Sequence, residues 1–168
     1  MTMPSVRGMR PADLDAVLAI QLACYGAGFV EDGALIARRL AAAPHTGWVV
    51  EHEGGVVAYL AGYPSVAGKL TPLHGEFEVA AQPDSLYLHD LAVHPGASGL
   101  GLGPLLVRHA WAHALQAGWR QSTLVSVQSS VGFWKRQGYE ATLPDGPRQQ
   151  GRLATYPGES IYMIRKVG

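Results

Sequence analysis

The amino-acid sequence predicts a mixed α/β fold of the α+β kind, in one domain covering residues 1–168. Three observations predict it. Apolar residues at helical spacing fill much of residues 12–43. A glycine-centred hairpin follows them. A strand, a glycine-dense loop, a helix and a second strand then come in that order, which is a βαβ crossover with its two strands parallel and adjacent.

In chain order, "VRGMR" (6–10) reads as a short first strand. Pro11 opens a helix that runs through "ADLDAVLAIQLACYG", with Leu14, Val17, Leu18 and Leu22 at helical spacing. Gly26 and Gly28 interrupt it. A second helix, "DGALIARRLAAA", presents Leu35, Ile36 and Leu40 and stops before Pro44. Residues 47–66 form the hairpin, with strands at 48–51 and 56–63 around Gly54-Gly55. Residues 67–85 carry turn residues without a period and read as a long loop, a type that is often functional. "LYLHDLAVHP" (86–95) is the clearest strand. "PLLVRHAWAHALQAG" (104–118) is a helix with Pro104 in its first turn and Gly118 past its end. Then come a strand at 122–128, a short helix "SVGFWKRQG" ended by Gly138, a strand "YEATL" and a last strand at 160–167.

The chain is 48% hydrophobic and 15% charged, with Lys+Arg and Asp+Glu at 13 each. That profile is globular and neutral, so neither nucleic acid nor an anionic membrane is expected as the main partner. Arg38-Arg39 and Lys135-Arg136 read as solvated helix faces. The single cysteine, Cys24, allows no internal disulfide and suits a reducing cytoplasm. It falls in an apolar helical pattern and reads as core rather than nucleophile. The first residues reach charge and proline at once, unlike a signal peptide. No window approaches the roughly 18 apolar residues of a membrane span.

The stretch "HPGASGLGLGP" (94–104) stands between a strand and a helix. Such a loop suits an anion. The first N–H groups of a helix lack internal partners, the helix dipole favours negative charge there, and glycine lets a phosphate approach. A P-loop needs Lys and Ser or Thr after its last glycine, but Leu102 follows Gly101 and Pro104 follows Gly103. A dinucleotide fingerprint needs G-x-G-x-x-G and an acid about 20 positions on. Gly99, Gly101 and Gly103 are spaced G-x-G-x-G, and "WRQSTLVSV" (119–127) contains no acid. For a lone glycine the plainest reading would be a tight strand-to-helix turn that binds nothing.

A further reading comes from a resemblance. Leu91-Ala92-Val93-His94-Pro95 followed by Gly99, Gly101 and Gly103, together with "LVSVQSSVGFWKRQGYEA" downstream, resembles the two central motifs of the GCN5-related N-acetyltransferase (GNAT) superfamily. The resemblance implies a mixed, mostly antiparallel sheet of six to seven strands. About four helices flank it, and it is splayed at the central parallel pair. It implies acetyl-CoA as acyl donor, an amine acceptor in a ternary complex, no metal, and a homodimer as a common state. It carries the pyrophosphate cradle onto Ser98, Gly99, Leu100, Gly101, Leu102, Gly103 and Pro104. It carries the pantetheine contacts onto Leu91, Ala92 and Val93, with Phe133 and Arg136 from the second motif.

Two positions depart from the pattern. Ser98 stands where an Arg or Gln is usual, so one guanidinium contact to the pyrophosphate is missing and backbone N–H groups or Arg136 must carry that charge. Trp134 stands at the tyrosine that protonates the departing thiolate in many members, and an indole N–H is a donor only. Tyr139, after the glycine, reads as core. These departures keep a second reading open, a non-catalytic acyl-CoA-binding module; a nucleotide-binding protein of another class is a third.

Acyl transfer needs a base, because the amine attacks as the neutral form. Strand alternation places Tyr87, His89, Leu91 and Val93 on one face, and Leu88, Asp90 and Ala92 on the other. His89 is the first candidate base or water-orienting group, since imidazole titrates near neutrality. Asp90 either orients a cationic substrate or holds the strand. A core histidine and a hydrogen-bonded strand carboxylate are the alternatives. His109 and His113 lie four apart on a helix, but a zincin would need Glu at position 110, which is Ala110. No metal ligand set is assigned. The acceptor pocket is expected from the first two helices, the 67–85 loop and the last hairpin.

Overall fold

The computed structural model describes residues 2–26, 30–127 and 129–168. Gly28 and Gln128 lie outside the described residues. The hairpin at the centre of the chain forms because Glu53 and Gly54 both take positive φ (50° and 84°), which matches the twist of its strands. It joins β2 (Gly47–His52) to β3 (Gly55–Ser65). Before it lie β1 (Ser5–Gly8), a 3₁₀ turn at Pro11–Asp13, α1 (Leu14–Tyr25) and α2 (Gly33–Ala42). Asp32 caps α2, accepting the Ala34 N–H at 3.0 Å. After the hairpin come β4 (Ser85–Val93), α3 (Leu102–Ala117) and β5 (Gln121–Ser126). The chain then runs through α4 (Val131–Arg136), β6 (Glu140–Ala141), α5 (Gly146–Leu153) and β7 (Ile161–Lys166). No helix among the described residues is long and apolar enough to cross a membrane.

The strands make one sheet in the order β1-β2-β3-β4-β5-β7-β6. Its pairings are antiparallel except β4 with β5, which α3 joins as the expected crossover. That parallel pairing covers only Ser85–Leu88 against Gln121–Leu124. Beyond it the two strands part, while β4 runs on to Val93 beside β3.

Each face of the sheet has its own core. Leu102, Leu106, Val107 and Ala110 of α3 pack on Trp48, Leu60, Leu86 and Leu88. On the other face, Val17 and Ile20 of α1 and Ile36 of α2 cover Val49 and Tyr59. A third, aromatic cluster joins Tyr63, Phe77, Tyr87, Tyr156 and Tyr162 around Leu70. The long loop is therefore anchored. Leu70 and Phe77 are buried, the Gly68 N–H donates to the Tyr162 hydroxyl and the Thr71 hydroxyl to that of Tyr63.

The structure adds one helix to the sequence reading. α5 is short, contains two glycines and a proline, and buries no residue, so it has no apolar face to show. Arg152 pins it to the loop through the Leu70 carbonyl and Glu78. The strand expected over "YEATL" shrinks to Glu140–Ala141, because Tyr139 turns into the core and Leu143 is exposed.

Candidate functional site

Where β4 and β5 part, a cleft of 360 Å³ opens. Gly103, Phe133 and Trp134 line one end, and Glu31, His89 and Tyr156 the other. Hydrogen-bonding direction alternates along a strand. The His94 N–H donates to the Val57 carbonyl on β3, so Ala92 also faces β3, and Leu91 and Val93 turn their backbone groups toward the opening. Their carbonyls meet α1 there: the Tyr25 hydroxyl donates to Leu91 at 2.5 Å and the Cys24 thiol to Val93 at 3.1 Å. The expectation for 91–93 thus narrows. Two of the three residues present backbone to the cleft, and the Ala92 side chain is buried against α1.

His89 corrects the alternation read from the sequence. Across β3, Ala61 pairs with Asp90 but the next residue, Gly62, pairs with Leu88. His89 is therefore the extra residue of a β-bulge. The bulge resets the alternation, so His89 and Asp90 share the face of Tyr87 and Ala92, and Leu91 and Val93 join Leu88 on the α3 face. Two consecutive polar side chains consequently point the same way.

Their surroundings differ. Asp90 accepts a short hydrogen bond from the Tyr59 hydroxyl and one from Gln21 Nε2 at 3.3 Å. Burial pushes its carboxyl up, and the Tyr59 bond works against that. The side chain of His89 is only 4% exposed. Its Nε2 lies 3.2 Å from Glu31 Oε1, its ring meets Phe77 edge-on, and its Nδ1 is buried without a hydrogen-bond partner.

Glu31, on the connection between α1 and α2, did not stand out in the sequence. Asp32 beside it takes the helix cap, and an acid next to a cap reads as solvated. In the structure its side chain is 3% exposed. Arg39 grips both carboxylate oxygens, at 2.6 and 2.7 Å, and also donates to the Gly75 carbonyl. The His74 N–H adds a bond at 3.1 Å, and the Glu31 N–H donates to Gln21 Oε1 at 2.7 Å. Burial alone would raise the Glu31 carboxyl. The hydrogen bonds from His89 and Arg39 outweigh it and hold the group well below the usual carboxylate range.

At the other end, Pro95–Ala97 makes a 3₁₀ turn and Gly101 caps α3. Gly99 and Gly101 take φ of 83° and 73°, a region other residues enter at a cost. Gly103 faces the Phe133 ring, which would sit 3.4 Å from a Cβ there. The leading N–H groups of α3, at Leu102 and Gly103, have no partner within a helix. Pro104 has none to offer. Ser98 and Leu100 are exposed on the loop, while the Leu102 side chain is core.

The model of the acetyltransferase (GNAT) family matches residues 14–139. The chain belongs to the GNAT family. An amino-acid acetyltransferase of Ralstonia nicotianae is 27% identical over 119 residues, 71% of this chain and 23% of that protein, so the match spans less than a quarter of that relative. A GNAT family acetyltransferase from Brucella melitensis, solved in complex with acetyl-CoA, is 25% identical with a TM-score of 0.62, covering 86% of this chain and 90% of that one. Ard1 from Thermoplasma volcanium superposes with a TM-score of 0.74 over 99% of both chains at 17% identity, a likeness of fold. The splayed, mostly antiparallel sheet is the GNAT fold.

The other residues singled out in the sequence have different surroundings. The Arg136 side chain is exposed and folds back over Gly132. Trp134 is buried edge-on between Phe133 and Tyr139, although part of it reaches the cleft wall. Tyr139 is core: its hydroxyl donates to Ser122 and accepts from the Trp111 N–H, and burial pushes it up to about 12. His109 and His113 pack against Trp48. Cys24 is half-buried, and burial raises its thiol.

Proposed function

We propose that this chain is an N-acetyltransferase that moves the acetyl group of acetyl-CoA to a primary amine, by direct attack within a ternary complex. One observation carries the reading. A single cleft at the splay is lined both by Gly103 in the first turn of α3, where a helix start favours phosphate, and by His89, whose Nδ1 lies without a partner.

In this reading the N–H groups of residues 99–103 and the dipole of α3 hold the pyrophosphate. Phe133 lines the path of the pantetheine arm. The backbone N–H of Leu91 or Val93, turned to the opening, stabilises the oxygen that gains charge as the amine adds to the thioester. His89 takes the proton from the amine, directly or through water. The new C–N bond forms, the C–S bond breaks, and the electron pair leaves on sulfur. Trp134 and Tyr139 offer no acid, and a thiol with a pKa near 8.5 leaves readily as thiolate. Asp90, engaged by Tyr59 and Gln21, holds the bulged strand.

The charges that line the acceptor half are the carboxylates Glu31 and Asp90, while the Arg39 guanidinium is engaged by Glu31 and Gly75. A carboxylate beside the reacting amine therefore finds no free Lys or Arg among the described lining residues. With acetyl-CoA and a panel of acceptors, thiol release is expected, faster with phenethylamine or tryptamine than with phenylalanine or tryptophan. If none of the amines gives thiol release, the acetyltransferase reading is overturned.

A second expectation tests the cradle. Ser98 is exposed at the loop position where a guanidinium would reach a pyrophosphate. Ser98→Arg adds one charge-assisted contact, worth about tenfold in coenzyme affinity. Isothermal titration with coenzyme A measures it; unchanged or weaker binding places the pyrophosphate elsewhere.

A further inference from the structure

We infer that Glu31 is a positioning residue: it fixes the tautomer of His89 so that Nδ1 is the proton-accepting nitrogen. The inference rests on the reading of His89 as base and assigns a role to a residue outside both GNAT motifs. Two independent observations carry it. Glu31 Oε1 lies 3.2 Å from His89 Nε2, and His89 Nδ1 is buried without a partner.

The chemistry follows from what each atom has to offer. An ionised carboxylate only accepts, so the nitrogen facing it carries the hydrogen. Arg39 keeps Glu31 ionised and immobile by gripping both oxygens, and the His74 N–H braces it from the long loop. Nε2 is therefore N–H, and Nδ1 holds the lone pair. When the amine attacks, its proton moves to Nδ1. The imidazolium that forms is stabilised across the 3.2 Å contact, the role a buried carboxylate plays beside histidine in other acyl-transfer sites. Glu31 touches neither reacting atom in this scheme; it acts through His89. The same carboxylate ties α2, the long loop and β4 together at one point, so the base is held in place by elements far apart in sequence.

Glu31→Gln tests the inference. An amide has one acceptor oxygen, and the His74 N–H, which both variants keep, draws it to the Oε2 position, leaving the NH₂ facing His89 Nε2. That favours the opposite tautomer. The expected result is a loss in kcat of about 10²–10⁴-fold with the KM for acetyl-CoA unchanged. Because Gln beside a buried Arg39 destabilises the fold, the double variant Glu31→Gln/Arg39→Met is made as well. It relieves the unpaired cation and is expected to fold yet remain as slow. A purely structural Glu31 predicts instead that the double variant regains kcat, which overturns the proposal. ¹⁵N NMR of histidine-labelled protein gives a readout independent of turnover. His89 is expected as the Nε2–H tautomer in the native chain and shifted toward Nδ1–H in Glu31→Gln. An Nδ1–H tautomer in the native chain overturns the proposal even if amines are acetylated. Native Nε2–H without acetylation of any amine supports the tautomer assignment and removes the acetyltransferase reading alone.

Discussion

His89→Ala is expected to lower kcat for amine acetylation by about 10²–10⁴-fold, the range of a lost general base, and to leave the affinity for acetyl-CoA unchanged. The separation follows from the cleft. His89 lies at the end lined by Glu31 and Tyr156, whereas Gly103 and Phe133 line the other. The substitution also empties a buried position, so thermal unfolding of the variant is measured alongside. His89→Gln controls for that cost: it keeps volume and a donor toward Glu31 but cannot accept a proton at neutral pH. Both variants are expected to bind coenzyme and turn over slowly. Steady-state kinetics across several pH values, with titration of the coenzyme, read the two effects apart. If both variants retain full kcat, His89 is a core histidine and the base lies elsewhere. If the native chain binds acetyl-CoA tightly yet acetylates nothing, the cleft serves an acyl-CoA-binding module.

The parts of this molecule that were legible in the sequence are those built from local patterns. β4, the glycine loop and α3 follow one another within about 30 residues, the span of one βαβ unit. Apolar period, left-handed glycines and a helix start are each written in consecutive residues there. The hairpin and the first two helices were legible for the same reason. Other features depend on residues distant in sequence. The bulge at His89 arises because β3 and β4 slip register between Ala61 and Gly62, and nothing within "YLHDLAV" announces it. Its consequence is large, since it turns two residues expected on opposite faces onto one. Glu31 was hidden differently. Its partners Arg39, His74 and His89 come from three other segments, and beside a helix cap a buried ion pair looks like surface charge. Arg136 is a simpler case: it is exposed on the last turn of α4, as a basic pair in a short helix suggests.

The bulge also singles out a glycine that the sequence left unremarked. Gly62→Ala is expected to destabilise the chain by about 3 kcal/mol, a shift of about 6–12 °C in Tm for a chain of this size. A Cβ at Gly62 would lie 2.3 Å from the Tyr87 carbonyl oxygen, and that oxygen is backbone, which cannot swing aside as a flexible side chain does. Gly62 cannot retreat either. Its N–H donates to the Thr46 carbonyl at 3.0 Å and its carbonyl accepts from the Thr46 hydroxyl at 2.9 Å. The strain therefore falls on β4 at Tyr87, two residues before His89. Moving β4 there displaces the bulge, and the 3.2 Å contact between His89 and Glu31 lengthens. Activity is thus expected to fall in the folded variant as well, while coenzyme binding at the glycine loop persists. Gly55→Ala, in the same strand but with open space around its Cβ position, is the control and is expected to change neither. Calorimetry and turnover on the two variants decide the matter. Equal Tm values would mean that β4 yields easily at Tyr87. A folded, destabilised Gly62→Ala variant with native kcat would uncouple the bulge from catalysis.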